Sequence, residues 1–82
     1  FGMYRARILI QEPKQCYTYH KDFTPRIHIP IHSNENCFFI LEDILYRMKD
    51  DGSVYYADTV KIHTAVNASK EKRTHLVGCV YA

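Results

Sequence analysis

Ser33-Asn34-Glu35-Asn36-Cys37-Phe38-Phe39-Ile40-Leu41-Glu42-Asp43-Ile44-Leu45-Tyr46-Arg47-Met48-Lys49-Asp50-Asp51-Gly52 decides the fold, because it reads two ways. As a helix, Cys37, Leu41, Ile44, Leu45 and Met48 form one apolar stripe at spacings of three and four. Glu42, Asp43, Tyr46, Arg47 and Asp50 then form the wet face, with Asp43 and Arg47 paired one turn apart. Ser33 or Asn34 caps the start, Glu35 suits the positive end of the dipole, and Gly52 closes the far end. As a strand, Phe38, Ile40, Ile44, Tyr46 and Met48 share a face that only Glu42 interrupts, and Asp51-Gly52 becomes a hairpin turn. The caps and the acidic first residues favour a helix over residues 35–49.

Upstream, the pattern has period two. Tyr4, Ala6, Ile8 and Ile10 alternate with Arg5, Arg7, Leu9 and Gln11, and Glu12-Pro13-Lys14 ends that strand because proline cannot donate to a ladder. Cys16–His20 alternates again, with Tyr17 and Tyr19 on one face. In Arg26–His32, Ile27, Ile29 and Ile31 are expected inward and His28, Pro30 and His32 outward, with Pro30 at an edge or bulge. Downstream, Val54–Val66 reads as one long strand bearing Tyr56, Val60, Ile62 and Val66 on a face. Asp58 falls on that same face, which predicts a bulge near Ala57. Ala68–Arg73 is a polar turn and His75–Ala82 a closing strand. The expected class is α+β, mostly β: a small five-stranded sheet or barrel with one helix, ordered β-β-β-α-β-β, in a single domain over residues 1–82. Phe1 and Gly2 precede a methionine and read as additions ahead of a native start at Met3.

That order resembles the oligonucleotide-binding barrel, whose helix lies between the third and fourth strands. The alternative strand reading makes Asp51-Gly52-Ser53-Val54-Tyr55-Tyr56-Ala57 similar to the first hairpin of Tudor-type SH3-like barrels. That resemblance implies an all-β barrel that binds methylated peptides, and no cage residue is carried over. Tyr55-Tyr56-Ala57-Asp58-Thr59-Val60-Lys61 resembles a segment of immunoglobulin heavy-chain variable domains. That family needs a buried Trp, and this chain has none, so the resemblance is set aside.

Composition narrows the classes further. An 82-residue chain is near the lower limit for one self-sufficient core, and 46% apolar with 24% charged residues argues against disorder. The longest apolar run, Cys37–Leu41, is far shorter than a membrane helix, and no signal segment opens the chain. Cys16, Cys37 and Cys79 are odd in number and widely spaced, which suits reduced thiols and a cytoplasmic location. Asn67-Ala68-Ser69 matches the glycosylation pattern, a short motif that often arises by chance. Residues 1–32 carry Arg5, Arg7, Lys14, Lys21 and Arg26 against Glu12 and Asp22, a net charge of +3. Residues 33–52 are net −3 and residues 53–82 net +2.

Cys16/His20, His28/His32 and His75/Cys79 each repeat at i, i+4. In strands such positions stand ~13 Å apart, too far to share one ion, so no metal and no cofactor are expected. A site across strands, such as one using Cys16 and Cys79, is the exception that spacing permits. Ser33, Ser53 and Ser69 sit beside turn residues, Glu42 and Asp43 read as surface charge, and the three glycines are isolated. No catalytic residue is assigned, and the expectation is a non-enzymatic domain.

Tyr17-Thr18-Tyr19-His20-Lys21-Asp22-Phe23-Thr24-Pro25-Arg26 interleaves aromatics with cations. Tyr17 and Tyr19 would stack bases while Lys21 and Arg26, extended by Arg5 and Arg7, hold phosphates. The sequence therefore points to a small binding domain, with single-stranded nucleic acid the preferred ligand through Arg5, Arg7, Tyr17, Tyr19, Lys21 and Arg26. The alternative is a protein-interaction or inhibitor module that forms a homodimer through an exposed strand edge. No membrane partner is expected.

Overall fold

In the computed structural model, which describes residues 2–81, the deciding stretch is a hairpin. Strand β4 (Cys37–Leu41) and β5 (Ile44–Tyr46) pair antiparallel, with Leu41 opposite Ile44. Glu42 and Asp43 between them have φ of 48° and 66°, the two positive values that a type I′ turn requires. The expected helix over 35–49 is therefore absent, and no helix occurs among the described residues.

The physical reason lies in how the capping residues are used. Asn34 Oδ1 accepts the Asn36 N–H at 2.9 Å, and the Asn34 carbonyl accepts the Cys37 N–H at 3.1 Å. These bonds make a tight turn that launches β4 instead of a helix, the alternative use of Asn that competes with helical structure. Ile44 and Leu45, expected inside the helix stripe, are largely exposed. Gly52, with φ of 89°, turns the chain between β5 and β6 (Tyr55–Ala57), which lie in different sheets, so Asp51-Gly52 is not a hairpin turn either.

The remaining strands are β1 (Gly2–Gln11), β2 (Gln15–Cys16), β3 (Arg26–His32), β7 (His63–Asn67) and β8 (Arg73–Tyr81). They build two antiparallel four-stranded sheets, ordered β1-β8-β3-β6 and β2-β7-β4-β5. A five-stranded barrel with one helix is thus replaced by an eight-stranded double sheet of jelly-roll type. The expected long strand over 54–66 is broken at 58–62, where the chain leaves the first sheet for the second. Of the second expected strand, Cys16–His20, only Cys16 pairs regularly, together with Gln15 before it, and His20 adds a single bridge to His63. Phe1 and Ala82, named above as an addition and a strand end, lie outside the described residues.

The expected faces of β3 hold only at Ile27, which is buried, and at His32, which is exposed. Ile31, expected inward, is 54% exposed, while His28 and Pro30, expected outward, are buried. The bulge foreseen at Pro30 is present, as a register shift against β8 between Pro30 and His32. A second shift, between Tyr4 and Arg7, coincides with φ of 53° at Arg5. Phe39 and Ala65 of one sheet pack against Ala57 of the other, with Tyr17, Leu41 and Met48 around them. Ile27, Cys37, Val77 and Cys79 are buried outside that cluster, but the largest fully buried side chains are all polar: His75, Gln11, Asn67, Thr59 and Thr64. Buried polar groups on this scale mark a site more than a core.

Candidate metal centre and cavity

The segment from Tyr17 to Pro25 has almost no regular structure, so its position depends on hydrogen bonds to the opposite chain. Tyr17 N–H donates to the Ala65 carbonyl at 3.1 Å, and His20 and His63 exchange two backbone bonds of 3.0 Å each. Asp22 N–H donates to the Thr59 carbonyl at 2.8 Å, and buried Thr59 returns a hydroxyl bond to the Thr24 carbonyl at 3.2 Å. The loop is held along its length against β7 and the turn before it.

This fixing brings three side chains together. One ligand atom each from His20, Asp22 and His63 lies within 4.8 Å of the others. His63 Nε2 is 3.3 Å from Asp22 Oδ2, and His20 Nε2 is 3.7 Å from Asp22 Oδ1. The opposite nitrogen of each ring is already engaged: His20 Nδ1 donates to the Thr18 carbonyl and His63 Nδ1 to the Lys61 carbonyl, both at 2.8 Å. With a proton held at Nδ1 of each ring, both Nε2 atoms face the carboxylate. Two imidazoles and one carboxylate, converging with both rings oriented from behind, match the donor set of a non-haem Fe(II) site.

The cluster borders a cavity of about 100 Å³ between the sheets, also lined by Arg7, Tyr17, Arg26, His28, Phe39 and Arg73. Arg26 Nε is 3.6 Å from Asp22 Oδ2. Arg73 is buried at 3% exposure, its Nε has no hydrogen-bond partner, and no carboxylate among the described residues forms a salt bridge with it. Burial pushes its guanidinium below the ordinary value, against opposing effects of Tyr17 and Cys37. A buried, unpaired cation is costly, and the remedy is an anion bound beside it.

Phe39 stands between the cluster and a second pair of rings. It stacks on His63 with centroids 5.6 Å apart and meets His28 edge-on at 5.5 Å. Behind it, His28 Nδ1 and His75 Nδ1 are 3.1 Å apart. Burial, then the charges of Arg73, His63 and Arg26, push the His28 pKa down to about 4, with Asp22 opposing. Burial, Arg73 and His28 push that of His75 down to about 3. Both rings are therefore neutral at pH 7.

The residues singled out from sequence divide. Arg7, Tyr17 and Arg26 line the cavity. Arg5 is exposed at the β1 bulge with its guanidinium 6.0 Å from the Tyr4 ring centroid, while Tyr19, 52% exposed, and Lys21 lie on the surface. His20, Asp22, His63, His28 and Arg73 were missed. The signal for the first two was available: His20-x-Asp22 puts two ligand types two residues apart, a spacing that an extended chain keeps on one side. The i, i+4 pairs and the cross-strand cysteine pair do not include that spacing. Of the suggested cross-strand pair, Cys16 is exposed and Cys79 buried, and all three cysteines are free thiols. Asn67 is fully buried, so the glycosylation pattern is part of the fold's interior.

No curated protein matches the chain. A family model does, over residues 2–81, and its description is aspartyl/asparaginyl β-hydroxylase. With nearly its whole length matched, the chain belongs to the aspartyl/asparaginyl β-hydroxylase family.

Proposed function

We propose that this chain carries the metal-binding and co-substrate-binding part of an oxygen-dependent hydroxylase. The observation that carries the reading is the convergence of His20, Asp22 and His63 within 4.8 Å, with both imidazoles oriented by backbone carbonyls. These three residues would hold Fe(II), which supplies oxygen activation when bound and leaves coordination positions open for reactants. In the overall reaction a substrate C–H becomes C–OH with one oxygen atom of O₂. An oxidisable carboxylic acid takes the second oxygen atom and supplies two electrons.

Several residues of the cavity have a part in this scheme. Arg73 binds the acid co-substrate through its carboxylate, because the buried guanidinium otherwise has no counter-charge. Arg26, 3.6 Å from Asp22 Oδ2, braces that carboxylate beside the two imidazoles. Phe39 shields one face of His63 from water. The family description suggests an aspartyl or asparaginyl residue as substrate, and Arg7 at the exposed rim of the cavity suits an acidic side chain.

Anaerobic titration with Fe(II), or with Co(II) as a coloured stand-in, tests the reading. One equivalent should bind, and His63→Ala should abolish that binding while the far-ultraviolet dichroism stays that of a β protein. Absence of stoichiometric binding by the parent chain would end it.

A further inference from the structure

His28 borders the cavity and His75 does not, yet the two rings share one hydrogen bond. A contact of 3.1 Å between two Nδ1 atoms requires that one nitrogen carry the proton and the other be bare. Which ring donates follows from what lies beyond. His75 is 1% exposed, and its Nε2 is buried without a hydrogen-bond partner. A buried N–H with no acceptor is among the rarest defects of folded proteins, whereas an unused lone pair is better tolerated. His75 therefore leaves Nε2 bare and places its proton on Nδ1. That proton is donated to His28 Nδ1, and a neutral His28 must then be protonated at Nε2, on the side of its ring opposite His75.

We infer that His75 is a positioning residue that locks His28 as an Nε2–H donor, pairing it with Arg73 as the second donor for the bound carboxylate. The carboxylate half of this statement rests on the function proposed above; the tautomer lock rests on the ring geometry alone. The two histidines reach each other because β3 and β8 pair antiparallel with His28 opposite Val77 and Pro30 opposite His75, which sets the rings diagonally across the ladder. Phe39, edge-on to His28, limits rotation of that ring out of the bond.

Nitrogen-15 spectra of the histidine rings in the metal-free chain read the tautomers directly, and succinate serves as the carboxylate probe. His28 should show a protonated Nε2 and bare Nδ1, and His75 the reverse. His75→Asn, whose amide nitrogen overlays Nδ1, should keep the His28 tautomer and succinate binding. His75→Leu should let His28 mix tautomers and weaken succinate roughly ten- to a hundredfold, the value of one hydrogen bond to a charged group. A parent His28 protonated at Nδ1, or a folded His75→Leu with tautomer and affinity unchanged, overturns the inference. Should the leucine variant not fold, the parent and His75→Asn spectra still decide. The expected tautomers without succinate binding would overturn the carboxylate half, and a failed metal titration beside intact tautomers would sink the hydroxylase reading alone.

Discussion

His63 Nε2 lies 3.3 Å from Asp22 Oδ2, although forty-one positions separate the two residues in the chain. The approach depends on β7 delivering His63 and on the Tyr17–Pro25 loop being pinned to it by paired backbone bonds at His20. Both partners are held by backbone bonds of the fold itself, so the proposed metal site would need little reorganisation.

Metal should therefore stabilise the folded chain by mass action. At a free metal concentration one hundred times Kd, the gain is ~2.7 kcal/mol, seen as a rise in Tm. Asp22→Ala should remove that gain. Differential scanning calorimetry with and without Fe(II) under anaerobic conditions checks both; an identical Tm in the parent counts against the centre.

The His28–His75 pair makes stability depend on pH. Both pKa values are depressed in the fold, to about 4 and about 3 from 6.5, so the unfolded chain binds more protons below pH 6.5. The contribution is whole above pH 6.5 and declines as pH falls toward 4 and then 3. Its slope approaches ~1.4 kcal/mol per pH unit for each ring. Urea midpoints at pH 7, 6, 5 and 4 should fall in that order, with a shallower fall in His75→Asn.

Asn67 ties three segments together. Its Nδ2 donates to the Gln11 and Glu71 carbonyls at 3.1 and 2.7 Å, and its Oδ1 accepts from the Ser69 hydroxyl at 2.6 Å and from Cys37 Sγ at 3.3 Å. Asn67→Ala leaves several buried groups unpaired and should cost ~3 kcal/mol or more. Asn67→Asp keeps the acceptor and loses the donors, so equilibrium unfolding of the two variants separates those roles.

At the β4–β5 turn, Glu42 and Asp43 occupy the left-handed region at φ of 48° and 66°. Asn-Gly is the preferred pair for such a turn. The double change Glu42→Asn and Asp43→Gly should raise stability by ~1 kcal/mol, despite losing the exposed Glu42–Lys61 contact at 3.5 Å. A lower thermal midpoint in the double variant would contradict the turn assignment.

Local patterning carried a good part of this fold. Strands over Tyr4–Gln11 and Arg26–His32, the bulge at Pro30 and the closing strand stand in the structure, because period two and proline's missing donor act within a few residues. Their faces do not: Ile8, Ile10 and Ile31 are exposed while Gln11 and His28 are buried. The reading failed at 35–49, where amphipathic spacing suits a helix in isolation. Five residues of β4 instead find a ladder on β7, from Cys37 opposite Asn67 to Leu41 opposite His63. That partner is more than twenty residues away, and spacing alone does not register it.

The sequence by itself determined that the chain is strand-rich and that His20, Asp22, His63, His28 and Arg73 are present with the chemistry to hold a metal and an anion. Only the tertiary structure decided which side of each strand faces inward. Arg26 and His28 line the cavity, whereas of Ile27, Ile29 and Ile31, all expected inward, only Ile27 is buried. The reason is physical: burying histidine and arginine is unfavourable unless partners receive them. His28 meets His75 on the neighbouring strand of its own sheet, and Arg26 meets Asp22 in the loop bonded to β7, contacts that form only once the strands have paired.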